Sequence, residues 1–139
     1  MNLKVLMVVV LMMLLAAFAQ AQQPDLAENL FAPELILQHQ QAIGLTEEQK
    51  SFFKTEARKT QMELTDLQWR LEDAVEKLAT MLKADRIDEQ ATTAQLDTVL
   101  GLESMVKRTQ LAFLIRFKNK LTPEQQTRLR ELRGKAPGK

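Results

Sequence analysis

The chain has 139 residues, with 19 Lys and Arg against 18 Asp and Glu, and both signs are interspersed along it. This balance argues against nucleic acid as a partner, because nucleic-acid-binding domains usually carry a clear basic excess. The chain has no Cys, which excludes disulfides, thiol catalysis and cysteine-ligated metal.

The first segment has the features of an export signal. Lys4 is followed by an apolar run from Val5 to Ala19 and then by the small-x-small sequence Ala19-Gln20-Ala21. This pattern predicts a signal peptide over residues 1–21, cleavage after Ala21 and a periplasmic protein. The apolar run is shorter than the roughly 20 residues of a membrane-spanning helix, so we expect no stable membrane anchor.

The remaining sequence predicts an all-α fold in a single domain. Leu, Gln, Glu, Lys, Arg and Ala dominate it, and these are strong helix formers, whereas the residues that favour strands are sparse. We expect a flexible N-terminal arm over residues 22–32, a helical hairpin domain over 33–133 and a basic tail over 134–139.

Pro, Gly and helix-capping residues mark the predicted boundaries of the helices in this domain. The predictions are a short helix from Pro33 to Gly44, a long helix from Thr46 to about Lys83, a return helix from about Glu89 to Lys120 and a final helix from Pro123 to about Arg133. The link between the two long helices is short, so they are expected to lie antiparallel as a hairpin.

Apolar residues recur along the first long helix at alternating steps of three and four, which is typical of a coiled-coil seam. The predicted seam consists of Phe53, Ala57, Leu64, Leu67, Leu71, Ala74, Leu78 and Met81. A hairpin of this length buries one stripe per helix and leaves other apolar residues exposed to water. We therefore expect a second surface to cover them, either in a homodimer or in a complex with client proteins.

One pattern, Leu-Thr-x-x-Gln, occurs twice. Leu45-Thr46-Glu47-Glu48-Gln49 and Leu121-Thr122-Pro123-Glu124-Gln125 each stand at a predicted helix start. Each pattern is also a capping box, in which the Thr hydroxyl accepts from a backbone N–H and the Gln side chain accepts from the Thr N–H. The motif residues Leu45, Thr46, Gln49, Leu121, Thr122 and Gln125 are therefore expected to start and position helices.

The two boxes, flanking a helical hairpin behind a signal peptide, resemble the Leu-Thr-x-x-Gln family of periplasmic proteins, of the CpxP and Spy type and the related heavy-metal-resistance sensors. The resemblance covers roughly residues 33–132. It implies a cradle-shaped helical dimer that acts in envelope stress as a chaperone for unfolded proteins, as an inhibitory partner of a sensor kinase, or as a metal-responsive sensor.

Metal sensing is the sharpest alternative, since the metal-sensing branch of the family uses several His with Glu and Met. Here His39 is the only His and stands five residues after Glu34, so it is a weak candidate ligand and we expect no cofactor. The carboxylates are mixed with Lys and Arg at helical spacing, and no Ser or Thr stands beside a plausible base. We therefore expect that the protein is not an enzyme.

Binding of other proteins is the function that remains, and the densest mixture of basic and apolar residues suits it. The predicted client-binding residues are Lys107, Arg108, Leu111, Leu114, Arg116, Phe117 and Lys118. The alternative is that the apolar members close the hairpin core while the basic members balance acids on the facing helix. We expect a chaperone-like protein or stress adaptor that binds unfolded proteins or a sensor kinase domain without ATP.

Overall fold

The computed structural model describes residues 26–135, and the helical hairpin predicted from the sequence is confirmed within that range. A 3-10 helix at Leu26–Asn29 precedes α1 (Pro33–Gln38), α2 (Glu47–Leu82), α3 (Glu89–Lys120) and α4 (Pro123–Arg133). The two long helices, α2 and α3, pack against each other along the hairpin. No helix in the described range is long and apolar enough to cross a membrane. The predicted signal peptide at residues 1–21 lies outside the described residues, as does the end of the predicted tail, 136–139.

The helix α1 is shorter than the prediction, which placed its end at Gly44. It stops at Gln38, and a separate turn follows. Gly44 closes that turn with φ +63°, a left-handed conformation that suits a residue without Cβ. The N–H groups of Gly44 and Leu45 donate to the carbonyls of Gln41 and Gln40 at 3.1 and 3.0 Å, which is the Schellman pattern. Gly44 therefore ends this turn, whereas α1 ends six residues earlier, at Gln38.

The described part of the predicted flexible arm, residues 26–32, is packed on the domain. Phe31 is only 2% exposed and belongs to the core. The Arg133 guanidinium lies 5.1 Å from the centre of the Phe31 ring and donates to the Glu28 carbonyl at 2.8 Å. Lys118 donates to the Asn29 carbonyl, also at 2.8 Å. Contacts from two distant helices thus hold a segment whose own sequence shows no periodicity.

The buried apolar residues form two clusters at different heights of the hairpin. The basal core contains Phe31, Ile36, Ile43, Leu45, Phe53, Phe117, Leu121 and Leu129. The distal core contains Leu67, Ala74, Val99 and Leu102. All four α-helices supply or flank the basal core, whereas only α2 and α3 reach the distal core. The base of the hairpin is therefore the better-packed end.

Four buried residues of the α2 seam lie at steps of seven, and the predicted seam residues Leu71 and Leu78 pack against the distal core from positions between them. Phe53, Thr60, Leu67 and Ala74 are buried, while Ala57, which the periodicity placed on the seam, is exposed. A step of seven keeps the same face of an α-helix turned toward its partner, and this register selects Thr60 over Ala57.

Three polar side chains consequently lie between α2 and α3. The Gln95 amide donates to the Ala74 carbonyl at 2.8 Å, and the Thr109 hydroxyl donates to Glu63 Oε1 at 2.9 Å. The hydroxyl of Thr60 is buried without a hydrogen-bond partner. Because an unpaired buried hydroxyl has lost its hydration without compensation, Thr60 weakens the seam.

Eleven large hydrophobic side chains in the described range are at least 41% exposed, and six of them lie between residues 63 and 103. The charges also separate between the two ends. Residues 63–103, the distal half, carry ten Asp and Glu against four Lys and Arg, whereas the rest of the described chain, the basal half, carries seven against thirteen. The signs that alternate locally in the sequence thus give an acidic distal half and a basic basal half. The structure contains a single chain, so the dimer stays a prediction.

We predict that Thr60→Val stabilises the protein by about 1 kcal/mol, because a methyl group of the same shape replaces an unpaired buried hydroxyl. Thr109→Val is the matched control. It removes a hydroxyl that is bonded to Glu63, and we expect it to destabilise by about 1 kcal/mol. Urea unfolding followed by circular dichroism measures both changes. Equal effects of the two substitutions would contradict the assignment of Thr60 as unpaired.

Candidate binding surface and paired helix caps

Both predicted capping boxes are present. The Thr46 hydroxyl accepts from the Gln49 N–H at 3.1 Å, and the Thr46 N–H donates to Gln49 Oε1 at 3.1 Å. At the second box, the corresponding distances between Thr122 and Gln125 are 3.2 and 2.9 Å. Each box satisfies N–H groups that have no partner within the first turn of a helix.

The two boxes are also bonded to each other, which the sequence reading did not foresee. Gln49 Nε2 donates to Gln125 Oε1 at 2.8 Å, and Gln125 Nε2 donates to Gln49 Oε1 at 2.9 Å. The second N–H of each amide reaches a backbone carbonyl. Gln49 donates to the Lys120 carbonyl at 2.9 Å, and Gln125 donates to the Gly44 carbonyl at 3.3 Å.

Each of these amides therefore uses its full capacity of two donated and two accepted hydrogen bonds. The carbonyls that they reach belong to Lys120, the last residue of α3, and to Gly44, in the turn before α2. Each glutamine thus caps its own helix. It also donates a hydrogen bond to the backbone carbonyl of the segment that leads into the other helix. Gln49 and Gln125 are 6% and 7% exposed, so water does not compete at this site.

The leucines of the two motifs belong to the basal core. Leu45 is 8% exposed and Leu121 is 4% exposed, and both lie in the same cluster as Phe53 and Phe117. Neither has an apolar partner at the fourth position of its own helix, where the sequence has Lys50 and Gln126. All six motif residues thus act in folding and in the joining of helix ends.

An ion pair lies beside the caps. Lys120 Nζ and Glu48 Oε1 are 2.7 Å apart, and the hydrogen bond and charge of Lys120 lower the pKa of the Glu48 carboxyl. A carboxyl whose pKa is lower in the folded state adds stability above its unfolded pKa and loses that contribution as the pH falls through the folded value. Because Glu48 is exposed, we treat this pair as a minor contribution.

The structure divides the predicted client-binding residues into two groups. Phe117 is 2% exposed in the basal core, so its assignment to a client surface is wrong for the folded chain. Arg116 Nε lies 2.6 Å from Glu56 Oε2 on the facing helix, and Lys118 is bonded to the Asn29 carbonyl. These three residues follow the alternative reading, in which apolar members close the core and basic members pair internally.

The other four predicted residues remain at the surface. Lys107, Arg108 and Leu111 are exposed, and Leu114 is half-buried. The first three, together with Leu100, Glu103 and Ser104, line a shallow groove between side chains on one exposed face of α3. Leu100 was not in the predicted cluster, although its spacing of eleven residues from Leu111 places both on one face of a helix. We call these six residues the α3 groove.

His39 lies half-buried in the turn after α1. No group of three or more His, Asp or Glu side chains that could hold a metal ion occurs within residues 26–135. Transition-metal sites in proteins need several imidazole, thiolate or carboxylate ligands on one centre. The described His, Asp and Glu residues of one chain therefore supply no group of three ligands for such a site.

We predict that Gln49→Ala destabilises the protein by about 3 kcal/mol, since it removes the partner of the Thr46 N–H and of the Lys120 carbonyl and leaves the Gln125 amide with two of its four hydrogen bonds. The exposed residue Gln68 offers a matched control, because Gln68→Ala removes the same amide from the same helix without a buried bond.

The double variant Gln49→Ala/Gln125→Ala tests the reciprocal contact in a thermodynamic cycle of urea unfolding. Residues in one hydrogen-bond network are coupled, so we expect the double variant to cost clearly less than the sum of the two single changes. Simple additivity would show that the two amides act separately.

A family model described as heavy-metal resistance matches residues 3–130 of the chain. No curated protein and no solved structure matches it. The family match spans nearly the whole chain, including both capping boxes and the hairpin between them. The chain belongs to the heavy-metal resistance family, the type of protein that its paired Leu-Thr-x-x-Gln boxes indicated.

Proposed function

We propose that the protein is a periplasmic, chaperone-like protein or envelope-stress adaptor that binds unfolded or partner proteins without ATP. The observation that carries this proposal is the α3 groove. Leu100 and Leu111 are 51% and 43% exposed there, beside the exposed side chains of Lys107 and Arg108. A folded protein gains nothing for its own core from apolar side chains in this position, whereas a client segment covers them.

The charge around the groove supports acidic and apolar segments as its ligands. The groove lies on the border of the basic basal half, which has thirteen Lys and Arg against seven Asp and Glu. Such an excess attracts acidic segments at long range, and apolar contact then retains them at short range. Weak contacts of this kind release a client without nucleotide hydrolysis.

The signal-like segment at residues 1–21 supports the periplasm as the place of action. Proteins there reach their fold after crossing a membrane unfolded, and apolar segments are exposed during that time. A sensor kinase domain with an acidic surface is the other partner that the same groove suits.

We expect the purified mature protein to suppress the aggregation of a chemically unfolded test protein, measured by light scattering. The double variant Leu100→Ser/Leu111→Ser should need several-fold more protein for the same effect, because the apolar part of the groove is lost. Leu82→Ser/Ile87→Ser is the matched control, since it removes two apolar residues of similar exposure at the tip of the hairpin. Absence of suppression at several-fold molar excess would contradict the chaperone proposal.

Heavy-metal sensing is the second candidate, and the description of the family supports it. His39 is the residue on which a site would have to be built, with further ligands from a second chain. We predict that calorimetric titration with zinc, copper, nickel and cobalt gives only weak binding, unchanged in His39→Ala, because a single imidazole that belongs to no group of three or more His, Asp or Glu side chains in the described range holds these ions poorly. Tight binding that is lost in His39→Ala would favour the sensor over the chaperone.

A further inference from the structure

The outer face of α2 points away from α3 and has no partner in the described chain. Trp69 is 65% exposed and Met62 is 75% exposed. They are seven residues apart and therefore lie on the same side of the helix, whereas the buried seam of α2 passes through Thr60 and Leu67. Trp69 is also the only Trp of the chain. The largest apolar side chain of the protein is thus placed where it contributes nothing to the core.

The charged side chains three and four positions from Trp69 are all acidic. Residues three and four positions away are adjacent on a helix, and around Trp69 these positions hold Thr65, Asp66, Glu72 and Asp73. Among the ion pairs of the described residues, only Asp66 of this group takes part, with Arg70 at 3.8 Å. Two carboxylates beside the exposed indole are therefore available to a ligand.

This combination suits a cation on a flexible chain. The face of an indole attracts Lys and Arg side chains more strongly than the other aromatic rings do, and adjacent carboxylates provide ionic hydrogen bonds. Elsewhere in the described chain, the fold itself uses such contacts, with Lys120 over Phe52 and Arg133 over Phe31 at 5.1 Å from the ring centres. No contact of this kind involves Trp69 in the same range.

We propose that the outer face of α2 around Trp69 is a docking surface for a Lys- or Arg-rich, partly apolar segment of another protein. The charge of the surroundings supports this occupant, since the distal half carries ten Asp and Glu against four Lys and Arg. Trp69 inserts between apolar and basic side chains of the segment, while Glu72 and Asp73 pair with its cations.

This surface is distinct from the α3 groove and goes beyond the proposed function. The groove is bordered by Lys107 and Arg108 and suits acidic segments, whereas the Trp69 surface suits basic ones. Failure of one surface therefore leaves the other intact. The basic basal half of a second copy of the chain is the competing occupant, and the experiment separates the two.

The test uses the purified mature protein and two peptides, four repeats of Lys-Lys-Leu-Ala and four repeats of Glu-Glu-Leu-Ala. The single Trp reports on its own surface through its fluorescence. We expect the Lys peptide to shift the Trp69 emission, with an affinity that falls as salt is raised, whereas the Glu peptide, for which the α3 groove is the proposed site, should leave the Trp69 emission unchanged. An equal shift of the Trp69 emission with the two peptides would overturn the proposal.

Variants locate the contact, with binding read from the anisotropy of a labelled Lys peptide. Trp69→Leu should weaken binding about tenfold and Trp69→Phe by less, because a phenyl ring keeps part of the attraction for cations. Glu72→Gln/Asp73→Asn should also weaken it several-fold. These side chains are exposed, so the substitutions leave the core unchanged, and circular dichroism verifies the fold.

The control Asp85→Asn/Asp97→Asn removes two exposed carboxylates from the same half of the molecule, away from Trp69. We expect it to leave binding of the Lys peptide nearly unchanged. An equal loss in the control would show that overall charge, and not the Trp69 surface, binds the peptide. A shift of Trp69 emission with protein concentration alone, before any peptide is added, would identify a second copy as the occupant and overturn the proposal.

Discussion

The reciprocal hydrogen bonds between the Gln49 and Gln125 amides are the contact on which the base of the hairpin depends. They join the start of α2 to the start of α4, and through the Lys120 and Gly44 carbonyls they also fix the segments that lead into both helices. A buried amide that lost this partner would keep unpaired donors and acceptors in a region without water, which is costly. The two copies of the motif are thus one structural unit, although 76 residues separate their glutamines.

This fixed base explains why the remainder of the hairpin tolerates weak packing. The basal core closes around Phe53, Phe117 and Leu129 with contributions from every helix and from Phe31. The distal core has four buried residues, and polar side chains such as Gln95 interrupt the same seam. Six large hydrophobic residues consequently stay exposed between residues 63 and 103. Because the basal core and the paired glutamines hold the hairpin together at its base, the distal half keeps exposed apolar residues that its own core does not require.

The same geometry gives the molecule two surfaces of opposite charge. The α3 groove, with Lys107 and Arg108, borders the basic half, whereas the surface around Trp69 lies in the acidic half. A net charge near zero conceals this separation, because opposite excesses at the two ends cancel in the total. The two surfaces support the proposed client-binding function, because each suits partner segments of one sign of charge that also carry exposed apolar side chains. The family to which the chain belongs is described as heavy-metal resistance, and residues 26–135 contain no group of three or more His, Asp or Glu side chains that could hold a metal ion.

The sequence by itself determined the helices and their caps. The bounds of α3 and α4 agree with the prediction, and the hydrogen bonds of Thr46 and Thr122 join each Thr to the Gln three positions along the chain, as predicted. Such features are local, so spacing along the chain reveals them. The tertiary structure alone decided three features. They are the hydrogen bonds between the Gln49 and Gln125 amides, the burial of Phe31 and Phe117, and the burial of Thr60 on the seam in place of Ala57. Each of these depends on the register and distance between segments far apart in the chain, and no periodicity within a single helix carries that information.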